Sequence, residues 1–493
     1  MEAEKGDDHH DIPSPLSPHR TRKRPENSTL SELKTQCRIA IPLTLMNLTW
    51  FAKLAISTAF LGRLGNLSLA GGTLGFTFAN VTGFSVLSGL CGAMEPMCGQ
   101  AFGAKNFRLL HKTLTMATLL LLSATIPIAF LWLNVDKILI QLGQERDISI
   151  TARHYLAYLL PDLVVNSFLC PLKAYLSTQN ITVPIMLSSA FAVALHIPIN
   201  VLLSRAKGIE GVSMAAWITD LVVVILLGLY VLITEKKGGE KWKEGGWWEL
   251  RGNIGDWIKL LKLSGPCCLT TCLEWWCYEI MVLLAGRLPN AKQAVGVLAI
   301  VLNFDYLLYS VMLSLATCSS IRVSNELGAK NATLAYRSAY VSICVSIVSG
   351  FLGGSIMVSA RGVWGPLFSG DEGIVRNVKR MMLLMAIVEV VNFPLAVCGG
   401  IVRGTARPWL GMYANMCGFY LVALPLGVVL GFRVHLGLGG LLMGFLCGMV
   451  VCLVLVFVFV ARIDWDDEAD KAQMLTTTSQ SQDCDDLAKN ANS

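Results

Sequence analysis

The octapeptide GQAFGAKN (residues 99–106) returns as SNELGAKN at residues 324–331, 225 positions further along the chain. The segment GIEGVSMAAW (208–217) is echoed by GLGGLLMGFL (437–446), and Pro198 in HIPINVLL by Pro425 in ALPLGVVL, at nearly the same offset. Self-similarity at one fixed period marks an internally duplicated architecture. The chain reads as two copies of one design.

What each copy contains follows from hydropathy. Of the 493 residues, 54% are hydrophobic and only 15% charged, which is not the composition of a soluble globular domain. A membrane-spanning helix needs about 20 mostly apolar residues to cross a hydrocarbon core of roughly 30 Å. Twelve runs meet that requirement, centred near Leu48, Ala79, Leu121, Leu163, Ala194 and Val222 in the first copy. Those of the second lie near Leu273, Leu302, Ile347, Ile387, Leu421 and Val450. The expected fold is an all-α polytopic membrane protein, with twelve transmembrane helices in two pseudo-symmetric six-helix lobes around a central cavity. Six spans per copy is an even number, so both lobes insert in the same orientation.

Composition sets the expected boundaries. Residues 1–36 are polar, include HRTRKR (19–24), and read as a disordered cytoplasmic tail. Residues 37–233 form the first lobe, 234–256 a cytoplasmic linker, 257–462 the second lobe and 463–493 a second disordered cytoplasmic tail. The net charge of +6 does not point to nucleic acid. With the N-terminus inside, about 26 Lys and Arg fall on the cytoplasmic side against about 13 outside, as the positive-inside rule requires. In the linker, Trp242, Trp247 and Trp248 alternate with lysines, which suits a segment lying in the lipid headgroups. The fifteen cysteines sit mostly within apolar runs, without facing CxxC pairs, so they read as packing residues and not as metal ligands. No nucleotide loop, metal spacing or catalytic triad stands out, and neither an enzyme nor a bound cofactor is expected.

Function should reside where the apolar pattern breaks, because a charge at mid-membrane costs roughly 2.5–3.5 kcal/mol or more. Lys53, Glu95, Asp162, Asp220, Glu274, Glu279, Asp305 and Glu389 are such residues, with His196 beside them. Glu274 and Glu389 lie near the middle of their runs, both in the second copy. Within CLEWWCYEI (272–280), Glu274 and Glu279 are five positions apart, about 140° around a helix, so they cannot share a face. Glu274 is the more central, and Tyr278 lies on its side of the helix and is placed to donate to it. Asn303 and Asp305 reach toward the same lobe's interior, while Lys53 snorkels or pairs with a carboxylate of the first lobe. Burial disfavours the charged form of a carboxyl, so a buried Glu can load and release a proton near neutral pH. His196 reads as a hydrogen-bonded packing residue, and Glu279 as a structural group or one at the mouth.

The order of these segments resembles the plant branch of the multidrug and toxic compound extrusion (MATE) transporters, the DETOXIFICATION proteins. The stretches that carry it are CGAMEPMCGQAFGA (91–104), CLEWWCYEI (272–280), RVSNELGA (322–329) and GIVRGTARPWLGMYANMCGFYLVALPLG (400–427). The resemblance implies two six-helix lobes about a V-shaped cavity and export of organic solutes in exchange for protons or sodium. It also implies a cation-coupling acidic pair in the second lobe, with Glu274 on the seventh helix and Glu389, in IVEVVNFP, on the tenth. Glu95 matches a glutamate for which a structural or gating role is expected. Cys277 and Asp305 depart from the commoner pattern. Bacterial relatives often carry an aspartate on the first helix, where this chain has Thr44, Asn47, Thr49 and Lys53.

The expected function is a proton-coupled antiporter for an organic solute or anion, working as a monomer in the plasma membrane, with the vacuolar membrane as alternative and both termini cytoplasmic. A second reading is a channel or transporter-like sensor of an anion such as bicarbonate. It would signal to a kinase through SPLSP (14–18) and TTTSQSQDCDD (476–486).

Overall fold

The computed structural model describes residues 29–237 and 252–476. Twelve helices in it are long and apolar enough to cross a membrane. In chain order they are α1 (Thr29–Arg63), α2 (Asn66–Gly103), α3 (Phe107–Leu133), α4 (Arg146–Thr178), α5 (Val183–Lys207) and α6 (Ile209–Lys237). The second six are α7 (Ile254–Ala285), α8 (Ala291–Gly328), α9 (Ala332–Phe368), α10 (Glu372–Gly404), α11 (Pro408–Arg433) and α12 (Gly437–Ala461). Buried apolar side chains form two large cores, one drawn from residues 61–227 and the other from 277–472, with two small clusters where the lobes meet. Each core belongs to one six-helix lobe. Large apolar side chains such as Phe130, Leu202, Leu283 and Phe351 point outward, as a surface bathed in lipid tails requires.

The repeated tetrapeptide GAKN builds the same corner twice. Lys105 and Lys330 both adopt left-handed backbone (φ 58° and 59°). Asn106 N–H donates to the Ala101 carbonyl at 2.8 Å, and Asn331 N–H to the Glu326 carbonyl at 2.9 Å. These bonds close the ends of α2 and α8 as helix C-caps do. The Asn106 side chain then accepts from Leu109 N–H at 3.0 Å and starts α3, the ordinary task of an N-cap.

The same segments also join the lobes. A Cβ on Gly103 would run into the Asn325 carbonyl, and one on Gly328 into the Gln100 carbonyl. Gln100 and Asn325 are equivalent under the repeat, as are Gly103 and Gly328, so the contact is reciprocal across the pseudo-twofold axis. On either side of it, α1 packs on α8 and α7 on α2, a second pair of equivalent contacts. The seam lies at the end of the molecule where α1 begins, the proximal end. Ionic contacts surround it. The Arg322 guanidinium donates to both Glu32 oxygens at 2.9 and 2.8 Å, and Lys112 meets Asp256 at 2.7 Å. Gln36 donates to the Ser338 carbonyl and accepts from the Ser342 hydroxyl.

Two stretches expected to belong to disordered tails are helical. Residues 29–36 form the first turns of α1, because Glu32 and Gln36 are buried against the second lobe. Residues 465–476 form a further helix, α13. It buries Ala469 and Ala472, stacks Trp465 edge-on against Tyr336 and pairs Glu468 with Arg407. Gln473 donates to the Gly328 carbonyl at 2.6 Å, and Asn106 to the Thr476 carbonyl at 3.2 Å. This helix therefore touches both GAKN corners. The linker expectation also shortens: Asn253 and Asp256 form a capping box that starts α7. Trp242, Trp247, Trp248 and most of both tails lie outside the described residues.

Replacing Gly103 or Gly328 by Ala is expected to cost about 1–3 kcal/mol, the usual range for overpacking, read as a lower melting temperature in detergent. Gly370→Ala, where a Cβ meets open space, should leave the melting temperature unchanged. Ending the chain after Asp464 should lower it by about 2–4 °C without loss of fold.

Candidate functional site

On the distal side of the seam the lobes enclose a cavity of about 350 Å³, within the size range of small-molecule sites. Its first-lobe wall carries Lys53 of α1, Asp162, Asn166 and Lys173 of α4, and Asp220 of α6. Its second-lobe wall carries Glu274 and Trp275 of α7, Tyr306 and Tyr309 of α8, and Arg403 of α10.

Local sequence features place these groups. Pro266 lies within α7, where a proline removes a backbone donor and loosens the ladder. Asn415 of α11 donates to the Thr270 carbonyl at 3.1 Å and Tyr420 to the Leu273 carbonyl at 3.1 Å, so α11 anchors α7 immediately before Glu274. A π-helical turn at Met416–Ala423 sets α11 for this task, and a second at Asn80–Phe84 shapes α2 where Asn80 meets the cavity. Such turns are common at functional sites. Trp275 Nε1 donates to the Tyr309 hydroxyl at 3.2 Å, which fixes both rings. Trp276, its neighbour in sequence, turns away and donates to the Val81 carbonyl at 3.0 Å.

The first-lobe charges are largely satisfied. Lys53 Nζ lies 2.6 Å from Asp220, and the carboxyl of Asp162 reaches that of Asp220 within the same group. His196, fully buried, meets Ser57 at 3.0 Å, Thr219 at 2.7 Å and Asn200 at 2.9 Å. At the cavity floor Glu95 of the first lobe accepts from Arg403 of the second at 3.2 Å, so Glu95 is one half of an inter-lobe ion pair.

The second lobe is different. Glu274 faces the cavity, and no hydrogen bond or ion pair reaches it among the described residues. Arg403 and Asp305 are the charges that act on it. Behind this wall, Glu389 is fully buried and Asp305 nearly so. Their carboxyl groups lie within hydrogen-bonding reach of each other, and no N–H or O–H donor among the described residues meets either Glu389 oxygen or Asp305 Oδ1. Two such carboxyls without a counter-charge accommodate a shared proton. Glu389 therefore has Asp305 beside it, while Glu274 faces the cavity. Tyr278 sits in the field of all three carboxyls and packs on Phe445 with ring centroids 4.9 Å apart, but no hydrogen bond joins it to Glu274. Asn303 bonds to the Ala299 carbonyl of its own helix and does not line the cavity. Glu279 lies off the cavity wall, near Tyr306.

Sequence reasoning passed over Lys112 and Lys173. Each lies within a turn or two of a helix end, where a lysine looks interfacial. Arg403 was visible inside a quoted segment but carried no assignment. Among the described residues no group of three or more His, Cys, Asp or Glu is arranged to hold a metal ion.

A MatE family profile matches residues 42–202 and again 266–429, once in each lobe. The chain belongs to the MatE family. Protein DETOXIFICATION 56 of Arabidopsis thaliana is 62% identical over 450 residues, covering 91% of each chain. Protein DETOXIFICATION 49 of the same plant is 40% identical over 482 residues, covering 97% of this chain and 94% of the relative. The crystal structure of the eukaryotic MATE transporter AtDTX14 superposes with a TM-score of 0.84 at 31% identity, over 91% of this chain and 99% of that one. A multidrug resistance MATE family transporter in an outward-facing conformation shares the fold at TM-score 0.78 and 14% identity, over 90% and 97% of the two chains. This MatE protein is thus a twelve-span membrane transporter of an efflux family.

In this transporter the Glu95–Arg403 pair holds charge in a mostly buried place. Removing one partner leaves the other uncompensated, which is costly. Arg403→Met is expected to lower stability by about 2–4 kcal/mol, and Glu95→Gln added to it to recover most of the loss, both read by thermal unfolding in detergent.

Proposed function

We propose that this MatE transporter exchanges protons for an organic solute or anion by alternating access, as a monomer in the plasma membrane, with both termini cytoplasmic. The observation that carries the reading is Glu274, exposed to the cavity without a partner among the described residues and backed by the Asp305–Glu389 pair, whose buried oxygens meet no donor there. A carboxyl in that setting binds a proton from one side and yields it to the other as the lobes move. Solute and proton then drive one another because each favours a different arrangement of the lobes. Closure of the proximal end by the glycine seam and its ion pairs supports alternation: one gate is shut while the cavity remains beyond it. A proximal cytoplasmic side agrees with the excess of Lys and Arg there. A channel has less support, since the seam interrupts any continuous path. The tail segments offered for kinase docking lie almost entirely outside the described residues.

The test is proton flux in proteoliposomes under an imposed substrate gradient, with a panel of organic cations and anions. Wild type should move protons with substrate. Glu274→Gln should abolish the coupled movement, and Glu389→Gln should reduce it at least about tenfold, a loss of 1.4 kcal/mol or more. Flux that follows a sodium gradient instead would assign the coupling ion differently, and wild type without substrate-dependent flux would overturn the exchange.

A further inference from the structure

Seven charged side chains line the cavity: Lys53, Glu95, Asp162, Lys173, Asp220, Glu274 and Arg403. Five belong to closed groups. Lys53 and Asp220 pair on the first-lobe wall with Asp162 beside them, and Arg403 and Glu95 pair across the floor. Two remain. Glu274 is one. Lys173 is the other: it lies near the proximal end of α4 within the field of Asp220, and no hydrogen bond or ion pair reaches it among the described residues. The cavity thus presents one unpaired cation on the first lobe and one unpaired anion on the second, with the Trp275–Tyr309 aromatic pair fixed beside the latter.

We propose that the cavity recognises a dipolar organic solute, with an acid group held by Lys173 and a protonated amine or hydroxyl donor held by Glu274 across an aromatic or flat body. The proposal rests on the exchange reading above, and it follows from charge. A plain organic cation would meet Glu274 but bring nothing to Lys173. A plain organic anion would bind Lys173, but its binding would be favoured by a proton on Glu274, so proton and solute would travel together and not in exchange. A solute with both ends uses Lys173 and still competes with the proton for Glu274. Charge-assisted hydrogen bonds at both ends make such a ligand stronger than either half, and a rigid aromatic body loses little freedom on binding between fixed rings. Because the ends lie on different lobes, the solute also senses their separation.

Three probes with one ring system test this on the full-length transporter in detergent, by titration calorimetry. They are tryptophan (both ends), indole-3-propionate (acid only) and tryptamine (amine only). Tryptophan is expected to bind at least about tenfold more tightly than either single-ended probe. Lys173→Met should bring tryptophan to the level of tryptamine and leave tryptamine unweakened. Lys173→Arg should keep the preference, which separates loss of charge from loss of fold. Glu274→Gln should bring tryptophan to the level of the acid. Equal binding of tryptophan and tryptamine, a Lys173→Met variant that keeps the preference, or no binding of any probe up to about 10 mM overturns the proposal. The same variants in the proteoliposome flux assay distinguish the two failures. A preference untouched by Lys173→Met beside Glu274-dependent proton flux defeats only the dipolar site, whereas wild type without such flux defeats the exchange itself.

Discussion

A carbonyl oxygen and a Cβ cannot occupy one place, and the meeting of the two lobes depends on that exclusion. At the ends of α2 and α8, Gly103 lies against the carbonyl of Asn325 and Gly328 against that of Gln100. Any other residue at either position would hold the helices apart. Close approach through small residues is how helices associate where lipid provides no hydrophobic drive. Once α2 and α8 touch, the neighbouring contacts of α1 with α8 and α7 with α2 follow from the pseudo-symmetry, and the ionic groups around the seam come within reach. Glu32 with Arg322, Lys112 with Asp256 and Glu95 with Arg403 are then mostly withdrawn from water, each charge matched by one from the other lobe.

The lobes are alike in path but not in charge. In the first, Lys53 pairs with Asp220 and acts on Asp162, so these acids have a cation among them. In the second, three carboxyls stand close together around Tyr278 with only Arg403 acting from the floor, and Arg403 is already engaged by Glu95. An acid is retained in such a place at a cost in stability, which is why the proton chemistry is assigned to this lobe.

Much of this was legible in the residues. The twelve spans and the two lobes follow from run length and from the repeat, and Glu274 stands out because an apolar helix has no use for it. The reciprocal contact of Gly103 and Gly328 was not legible, since GAKN reads as a corner and nothing in it says that the corners meet. Nor was the pairing of Glu389 with Asp305: which acids face one another depends on how α8 and α10 rotate, and a single sequence does not fix rotation. Lys112 and Lys173 were hidden by their nearness to helix ends. Helix α13 was hidden by its acids, because a 12-residue amphipathic segment is too short to read as a span and too charged to read as core.

The ion pairs at the seam also bear on how the protein is made. Glu32 and Arg322 are 290 residues apart in the chain, and Glu95 and Arg403 are 308 apart. The first lobe therefore leaves the ribosome and enters the bilayer long before its partners exist. During that interval Glu32 and Glu95 lack the arginines that pair with them, and the glycine face of α2 has no helix against it. The nascent half is a membrane protein with an unfinished polar surface. Synthesis of α10, which brings Arg403, ends that exposure, so the first lobe's polar face is complete only when most of the second has been made.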